Sequence, residues 1–485
     1  MTQSEKRYFK LHASRLYKKK ELPLIELFDI IAQQSSYNEE LVKSSFDSDF
    51  FAQKKKVLYD KVLDSLKSFH KGSNAHSQLD DFLATFRILL SKSVYKQAHK
   101  TLKQARKLAE KYELFTELIR INQAETEFYV ATANTATLET HIVKMRKEIP
   151  RLVQLLDDRQ IIENTYVNFV KVNSEREFVR SKLELKSLEA SANQIIHLDT
   201  DKVESFHVKI LAYYTKGVFY YLSGDLVEGV KWFEKQIAAF EKQPQFSSEL
   251  QFELARALAN CALLSLRTEN PSSFDKCFSQ LMNISGKTRR LNNQLNYWRY
   301  VLKFSYMVKK GSYKEAIMFS KTSPLIDKLE IEFETENVLV TERYLMLFGK
   351  VQAYMMLGQN KDALQVINAF LNSPSSDDKQ DAFIFIRFLF LFVHLELDNT
   401  DIVENGLRSL ERYLKQKGRL FEFEEHTLKL LSGLCEINDK RLAADSLRKY
   451  QRTLLDLKKD SFERNATINF DLVQWLEYKL SDTTK

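Results

Sequence analysis

Nine short polar interruptions, centred on Ser93, Asn134, Ser174, Gly224, Asn270, Gly311, Gly358, Asn399 and Asn438, divide the chain at intervals of 41, 40, 50, 46, 41, 47, 41 and 39 residues. Between them apolar residues recur three and four apart, the spacing of one helical face. A near-constant period of this length constrains the fold more than any local motif. Each unit holds a helical hairpin that cannot bury its apolar face alone, so neighbouring hairpins must stack. Composition agrees: 11 glycines and 6 prolines in 485 residues leave few positions for positive or fixed φ, and long helices must carry most of the chain. The expected class is all-α, a stack of helical hairpins.

The clearest unit runs from Tyr213 to Ile237, YYTKGVFYYLSGDLVEGVKWFEKQI. Tyr213, Gly217 and Tyr220 recur on one face of a first helix, Gly224-Asp225 interrupts it, and Gly229, Phe233 and Ile237 repeat at four-residue spacing on a second. This order of large, small and aromatic residues, then Gly-Asp, then a small residue before an aromatic, resembles the tetratricopeptide repeat, in which small residues let two helices approach closely. Gly311-Ser312-Tyr313-Lys314-Glu315-Ala316-Ile317 reads like the same turn, preceded by Tyr300 and Met307. Tyr354, Gly358, Ala363, Leu364, Ile367 and Leu371 repeat the layout, closed by Pro374, and at Ser93 the second helix matches through Tyr95, Ala98, Leu102 and Ala105. Lys216 stands where the family has Leu, and Pro244 comes late for its closing proline. The remaining turns are similar to α-solenoids in general.

The resemblance implies a right-handed superhelix, a tetratricopeptide-like α-solenoid, with the first helix of each hairpin lining a concave groove. Tyr214, Val218, Val301, Ser305, Phe348 and Gln352 would face that groove. The implied function is a non-enzymatic scaffold for a protein or peptide. The Lys/Asn arrangement with which some members grip a terminal carboxylate is not found. Because the period exceeds the about 34 residues of the family repeat, helices or connecting loops must be longer.

The ends depart from the pattern. Residues 1–72 read as an N-terminal helical cap or small domain, with one helix opened by Pro23 (stripe Leu24, Leu27, Phe28, Ile31) and another from about Phe50 to His70 (stripe Val57, Leu58, Val62, Leu66). Gly72-Ser73-Asn74 marks the boundary to an array over 73–467. Residues 468–485 hold a final helix, with Phe470, Val473, Trp475 and Leu476 capping the array, and a short tail. Phe383 to Leu397, FIFIRFLFLFVHLEL, is too short to span a bilayer and carries Arg387, so it reads as a helix buried on most sides. No stretch of 18 uncharged apolar residues and no signal-peptide core occurs, and no membrane association is expected. Cys261, Cys277 and Cys435 read as small buried residues in a reducing compartment. A cytoplasmic protein is expected.

The net charge of +8 is concentrated. Residues 1–120 hold 23 Lys and Arg against 15 Asp and Glu, and the remaining 365 residues hold 50 of each. Lys92, Lys96, Lys100, Lys103, Lys107 and Lys111 follow spacings of 4, 4, 3, 4 and 4, which predicts one basic helical face opposite Ala98, Leu102, Ala105 and Ala109. Such lysines repel one another unless Glu is interleaved, and only Glu110 is near. The face serves either an anionic partner, such as nucleic acid, an acidic protein segment or a phosphate-bearing ligand, or it is simply solvated. Lys18-Lys19-Lys20 and Lys54-Lys55-Lys56 either extend it or stand apart.

Enzymatic chemistry finds no foothold. The nine histidines show neither HExxH nor a Cys/His metal spacing, and GxGxxG, P-loop and GxSxG motifs are absent. No metal and no cofactor is expected. His394 reads as a satisfied core residue, and Glu330, Glu332, Glu334 and Glu336 alternate like an exposed strand or extended loop. Two function classes remain: a protein- or peptide-binding scaffold, and a nucleic-acid-binding or regulatory helical-repeat protein using the basic quarter. The oligomeric state is open.

Overall fold

With so few glycines and prolines, helices dominate. A computed structural model describes residues 1–16, 22–34, 37–46, 51–72, 74–175, 178–268, 271–322, 340–372, 380–437, 439–468 and 472–482. Among these residues there are 24 α-helices and no strand. The chain separates into two compact units, residues 1–156 and 157–485. The alternating acidic run at Glu330–Glu336 and the Lys18-Lys19-Lys20 cluster lie outside the described residues.

In residues 1–156, α1 (Gln3–Leu16), α2 (Leu22–Gln33), α3 (Glu39–Ser45) and α4 (Phe51–Phe69) gather Phe9, Leu27, Phe28, Val42, Phe46 and Leu58 into one small core. Val57, expected on the apolar stripe of α4, is exposed; the helix turns Leu58 inward instead, with Val62 packed beside it. Then α5 (Ala75–Ser91), α6 (Tyr95–Lys111) and α7 (Phe115–Ala131) follow, each 17 residues long, and α8 runs from Thr135 to Glu175. Helix α6 buries Ala98, Leu102, Ala105 and Ala109, four small or branched residues whose spacing lets α5 and α7 pack closely on the same side.

The turns explain the period. Ser93, Glu113 and Ala133 take φ of 56°, 50° and 50°. In each case the following amide reaches back five residues: Val94 N to Leu89 O at 2.9 Å, Leu114 N to Ala109 O at 2.9 Å, and Asn134 N to Tyr129 O at 3.2 Å. This is the Schellman closure, which satisfies helix-end carbonyls. Two 17-residue helices and two three-residue turns span 40 residues, so the length between these turns lies in helices rather than in loops.

Residues 157–485 use the same closure at Gly311, Gly358, Asp398 and Gly418, all with positive φ. Their helices are α9 (Lys182–Ile196), α10 (Phe206–Ser223), α11 (Leu226–Lys242), α12 (Pro244–Glu249), α13 (Gln251–Arg267), α14 (Ser272–Asn283), α15 (Arg289–Lys309), α16 (Tyr313–Thr322), α17 (Val340–Met356), α18 (Asn360–Leu371), α19 (Gln380–Glu396), α20 (Thr400–Lys417), α21 (Glu422–Glu436), α22 (Lys440–Leu457), α23 (Ser461–Asn465) and α24 (Leu472–Asp482). Each main helix touches the next, and α11, α13, α15, α17, α19 and α21 also touch their next-but-one neighbours. The buried apolar residues gather into two main cores, one over α10–α15 and one from the end of α15 to α24. Helix α19 is buried along most of its faces, and His394 is 6% exposed, its Nδ1 3.0 Å from Asn399 Nδ2. Helix α24 buries Trp475 and Leu476 against the same core. Phe470, expected beside them, lies outside the described residues.

Two expectations change. Ser174 does not centre a turn: α8 runs through it to Glu175, because residues 157–175 contain neither glycine nor proline to stop the helix. Pro244 does not close a repeat but opens α12, where its missing N–H costs nothing. At the hairpin of α10 and α11 the two helices approach closely at Gly217, where a Cβ would collide with the Phe233 ring at 2.8 Å. Lys216, in the family's Leu position, is buried with its ammonium donating to Leu198 O at 2.8 Å and lying 4.5 Å over the Trp232 ring. Burial, with Lys235 nearby, pushes its pKa down.

Candidate partner-binding site

Within residues 157–485, side chains near the start of the unit bond to others far along the chain. The short stretch before α9 carries Arg180, whose guanidinium donates to Glu424 at 2.8 and 2.9 Å and to Glu463 at 3.2 Å. Arg419, just after α20, donates to Glu184 at 2.6 Å and to Asp381. Glu463 also accepts from the amides of Glu422 and Phe423, and Asn465 donates to Val179 O at 2.8 Å. Burial pushes the Asp381 and Glu463 carboxyls above their ordinary values, against the pull of Arg419 and Arg180 respectively. The bonds of Arg180 to Glu424 and of Arg419 to Glu184 join segments 244 and 235 residues apart along the chain.

Beside these bonds lies an open cavity of about 960 Å³. Its wall draws on the turn at Gly224 and the outer face of α11, the ends of α13 and α15, the middle of α17, and Lys458, Arg464, Thr467, Ile468 and Gln474. Five cations line it, Lys231, Arg267, Lys309, Lys458 and Arg464, against two carboxylates, Asp225 and Glu234. Several are already engaged: Lys231 pairs with Glu228 at 2.8 Å, Arg464 reaches Gly224 O at 3.4 Å, and Asp225 caps α11 through Glu228 N. Lys309 and Lys458 have no carboxylate within ion-pair distance among the described residues. Apolar side chains, including Val230, Leu263, Leu266 and Ile468, alternate with serines and glutamines around the wall.

Of the six residues expected to face a groove, two reach this cavity. Ser305 and Gln352 line it, with Gln352 donating to Gln474 at 3.2 Å. Tyr214, Val301 and Phe348 are core residues, 4%, 2% and 1% exposed. Tyr214 packs between Tyr166 and Phe233, with Arg256 3.9 Å over its ring, and Phe348 meets Phe385 edge-on at 5.4 Å. Both rings therefore fill the space between successive hairpins, where the stacking demands bulk. Val218 is half-buried against the same packing.

A second groove, about 640 Å³ between α20 and α21, contains Glu404, Glu411, Glu425 and Glu436 beside Arg408, Lys415 and Lys429. Lys415 pairs with Glu411 and Lys429 with Glu425, so much of its charge is internally cancelled.

The basic stripe lies in residues 1–156. Lys96, Lys100, Lys103, Lys107 and Lys111 sit on α6, all exposed, while Lys92 caps the end of α5 and belongs to the turn before the helix. The Lys54–Lys56 cluster is differently placed: Lys55 pairs with Glu39 at 2.6 Å and Lys54 lies over Phe46. The paired lysines, Lys55 foremost, hold the exposed Glu39 carboxyl at about 2.

Sequence spacing gave no hint of one further pair. Cys261 on α13 and Cys277 on α14 are buried with their sulfurs 3.0 Å apart, and this contact together with burial pushes the Cys261 thiol up. Among the described residues no three His, Cys, Asp or Glu side chains are placed to hold a metal ion, and no helix is long and apolar enough to cross a membrane. No protein-family model, no curated protein and no solved structure matches the chain.

Proposed function

We propose that this chain is a non-enzymatic scaffold of the tetratricopeptide-like α-solenoid kind, a right-handed superhelix whose residues 157–485 hold an acidic protein segment. The observation that carries the reading is the 960 Å³ cavity with five cations against two carboxylates. Its size stands at the upper end of ligand pockets, about 300–1,000 Å³, and its wall mixes apolar patches with hydrogen-bonding groups, as recognition of an extended chain requires. The next-but-one helix contacts and the tight Gly217–Phe233 approach support the repeat reading.

Selection of binders from a random peptide library, followed by calorimetry of the best peptides on the full chain, tests this. Acidic peptides are expected, and Lys309→Glu combined with Lys458→Glu should weaken them about tenfold or more by placing like charges in contact. Both side chains sit at the surface of the cavity wall, so the fold should survive the change. Peptides that bind the double variant as tightly as the wild type would place the partner elsewhere.

A further inference from the structure

We propose that the exposed face of α6 binds the phosphate backbone of nucleic acid, independently of the cavity in residues 157–485. Lys96, Lys100, Lys103, Lys107 and Lys111 occupy one arc of the helix. At 1.5 Å per residue the row is about 22 Å long. None of the five has a carboxylate within ion-pair distance among the described residues, and Lys111 has only the Tyr112 ring, 5.0 Å away.

The same helix shows what a neutralised cation looks like. Arg106, turned to the other side, takes Glu125 at 2.7 Å, Glu148 at 2.9 Å and Glu110 at 3.6 Å, and also donates to Asn122. The carboxylates available around α6 therefore converge on Arg106. The lysine row keeps its full charge, and like charges three and four residues apart destabilise a helix unless a partner offsets them. The excess of 23 cations over 15 carboxylates in residues 1–120 adds a long-range attraction for polyanions.

The residues beside the row decide what kind of anion fits. Gln97 and Gln104 flank it, both exposed, and the one exposed aromatic residue of α6 is Tyr95 at its first position, off the lysine arc. Protein partners draw most of their affinity from buried aromatic or aliphatic anchors. Backbone phosphates need none: they are contacted by point charges and hydrogen-bond donors, without reading bases. A duplex carries one charge per about 1.7 Å, so about 13 phosphate charges face a 22 Å row, and every lysine can find one in any sequence.

Fluorescence anisotropy of the full chain with a labelled 20-base-pair DNA duplex and a single-stranded RNA of equal length tests the proposal. Five contacts correspond to a slope of log K against log salt near about −4.5 for duplex and −3.5 for single strand. Lys96→Gln, Lys100→Gln, Lys103→Gln and Lys107→Gln together preserve helix propensity, and should lower affinity at least tenfold at low salt and flatten the duplex slope by about 3.6. The matching quadruple Lys→Arg variant keeps the charge and should keep the slope. Absence of binding by wild-type protein at low salt, or an unchanged slope in the Gln variant, overturns the proposal. So does displacement of the duplex by polyglutamate at equal charge concentration, which would make an acidic protein the partner.

Discussion

Each unit surrounds an arginine with carboxylates, and the two clusters differ in where along the chain those partners come from. In residues 1–156, Arg106 draws on Glu125 and Glu148, 19 and 42 residues away, so its bonds staple one helix to the next two. In residues 157–485, Arg180 reaches Glu424 and Glu463, 244 and 283 residues away, and Arg419 reaches Glu184, 235 residues away. The chemistry is the same and the structural consequence is not. A local pair reinforces a contact that stacking already makes, whereas the distant pairs tie residues near the start of the second unit to residues near its end.

The largest effect that would break this contrast comes from removing Arg180. With Arg180→Ala, Glu424 and Glu463, 3% and 8% exposed, lose their cation in a site water barely reaches. Breaking a buried pair in this way costs about 3–5 kcal/mol. Arg106→Ala leaves Glu125 and Glu148 with 13% and 21% of their side chains open to water, and loss of charged hydrogen bonds there should cost about 1.5–3 kcal/mol. Denaturant unfolding of both variants measures the difference. Hydrogen exchange should show faster exchange around residues 178–184 and 419–465 in the first variant only. Equal losses would mean that the ends of the second unit are held by packing rather than by this network.

A second, smaller test uses glycine. Gly224 and Gly358 both have positive φ, 85° and 68°, but a Cβ at Gly358 meets nothing within 4 Å, while one at Gly224 runs into the Asn465 side chain. Gly358→Ala should therefore cost only the left-handed strain of about 1–2 kcal/mol. Gly224→Ala adds displacement of Asn465 from Val179 O, and overpacking of this kind adds about 1–3 kcal/mol. Similar melting temperatures for the two variants would show that the turn at Gly224 yields without disturbing the closure.

What the sequence disclosed follows the range of the interactions involved. Helix faces and the glycine turns at Gly224, Gly311 and Gly358 depend on residues within about one hairpin, and their spacing could be read directly, whereas the left-handed turns at Glu113 and Gly418 are not among the nine interruptions. The lysine row is legible for the same reason, since five of its members share one uninterrupted helix. Lys92 was misplaced because the Schellman turn at Ser93 separates it from that helix. Nothing near Arg180 announces Glu424, and a lone Arg before a helix has no periodicity to betray a partner 244 residues on. Of the groove residues, Ser305 and Gln352 line the cavity, whereas Tyr214, Val301 and Phe348 are core: whether Tyr214 faces a ligand or a neighbouring helix depends on packing beyond its own hairpin, and here Arg256 of α13 lies over its ring. Cys261 and Cys277 lie 16 residues apart with no metal-type spacing, yet consecutive packed helices bring them together.

The smallest expected effect concerns one histidine in each unit. His99 on α6 stacks on Phe128 at 5.1 Å, and burial holds its pKa below the ordinary 6.5, with Lys103 lowering it further and Glu125 opposing. His394 on α19 is also held below 6.5, by burial, against Phe390 at 4.3 Å. The sign follows from proton counting. Between the folded pKa and 6.5 the unfolded chain binds more protons than the folded one, so each histidine contributes stability above pH 6.5 that is lost as pH falls through the folded value. Mild acid should therefore lower the melting temperature, and His99→Gln and His394→Gln should each flatten that dependence between about pH 7 and pH 5. The lysine row separates the two: Lys103→Gln removes a neighbouring positive charge from His99 only, so in NMR titrations of the ring protons His99 should move up towards 6.5 while His394 stays in place. Added salt should reproduce part of the His99 shift, because an exposed ammonium is screened and burial is not. A His99 resonance unmoved by both changes would show that the exposed face of α6 exerts no field on its neighbours.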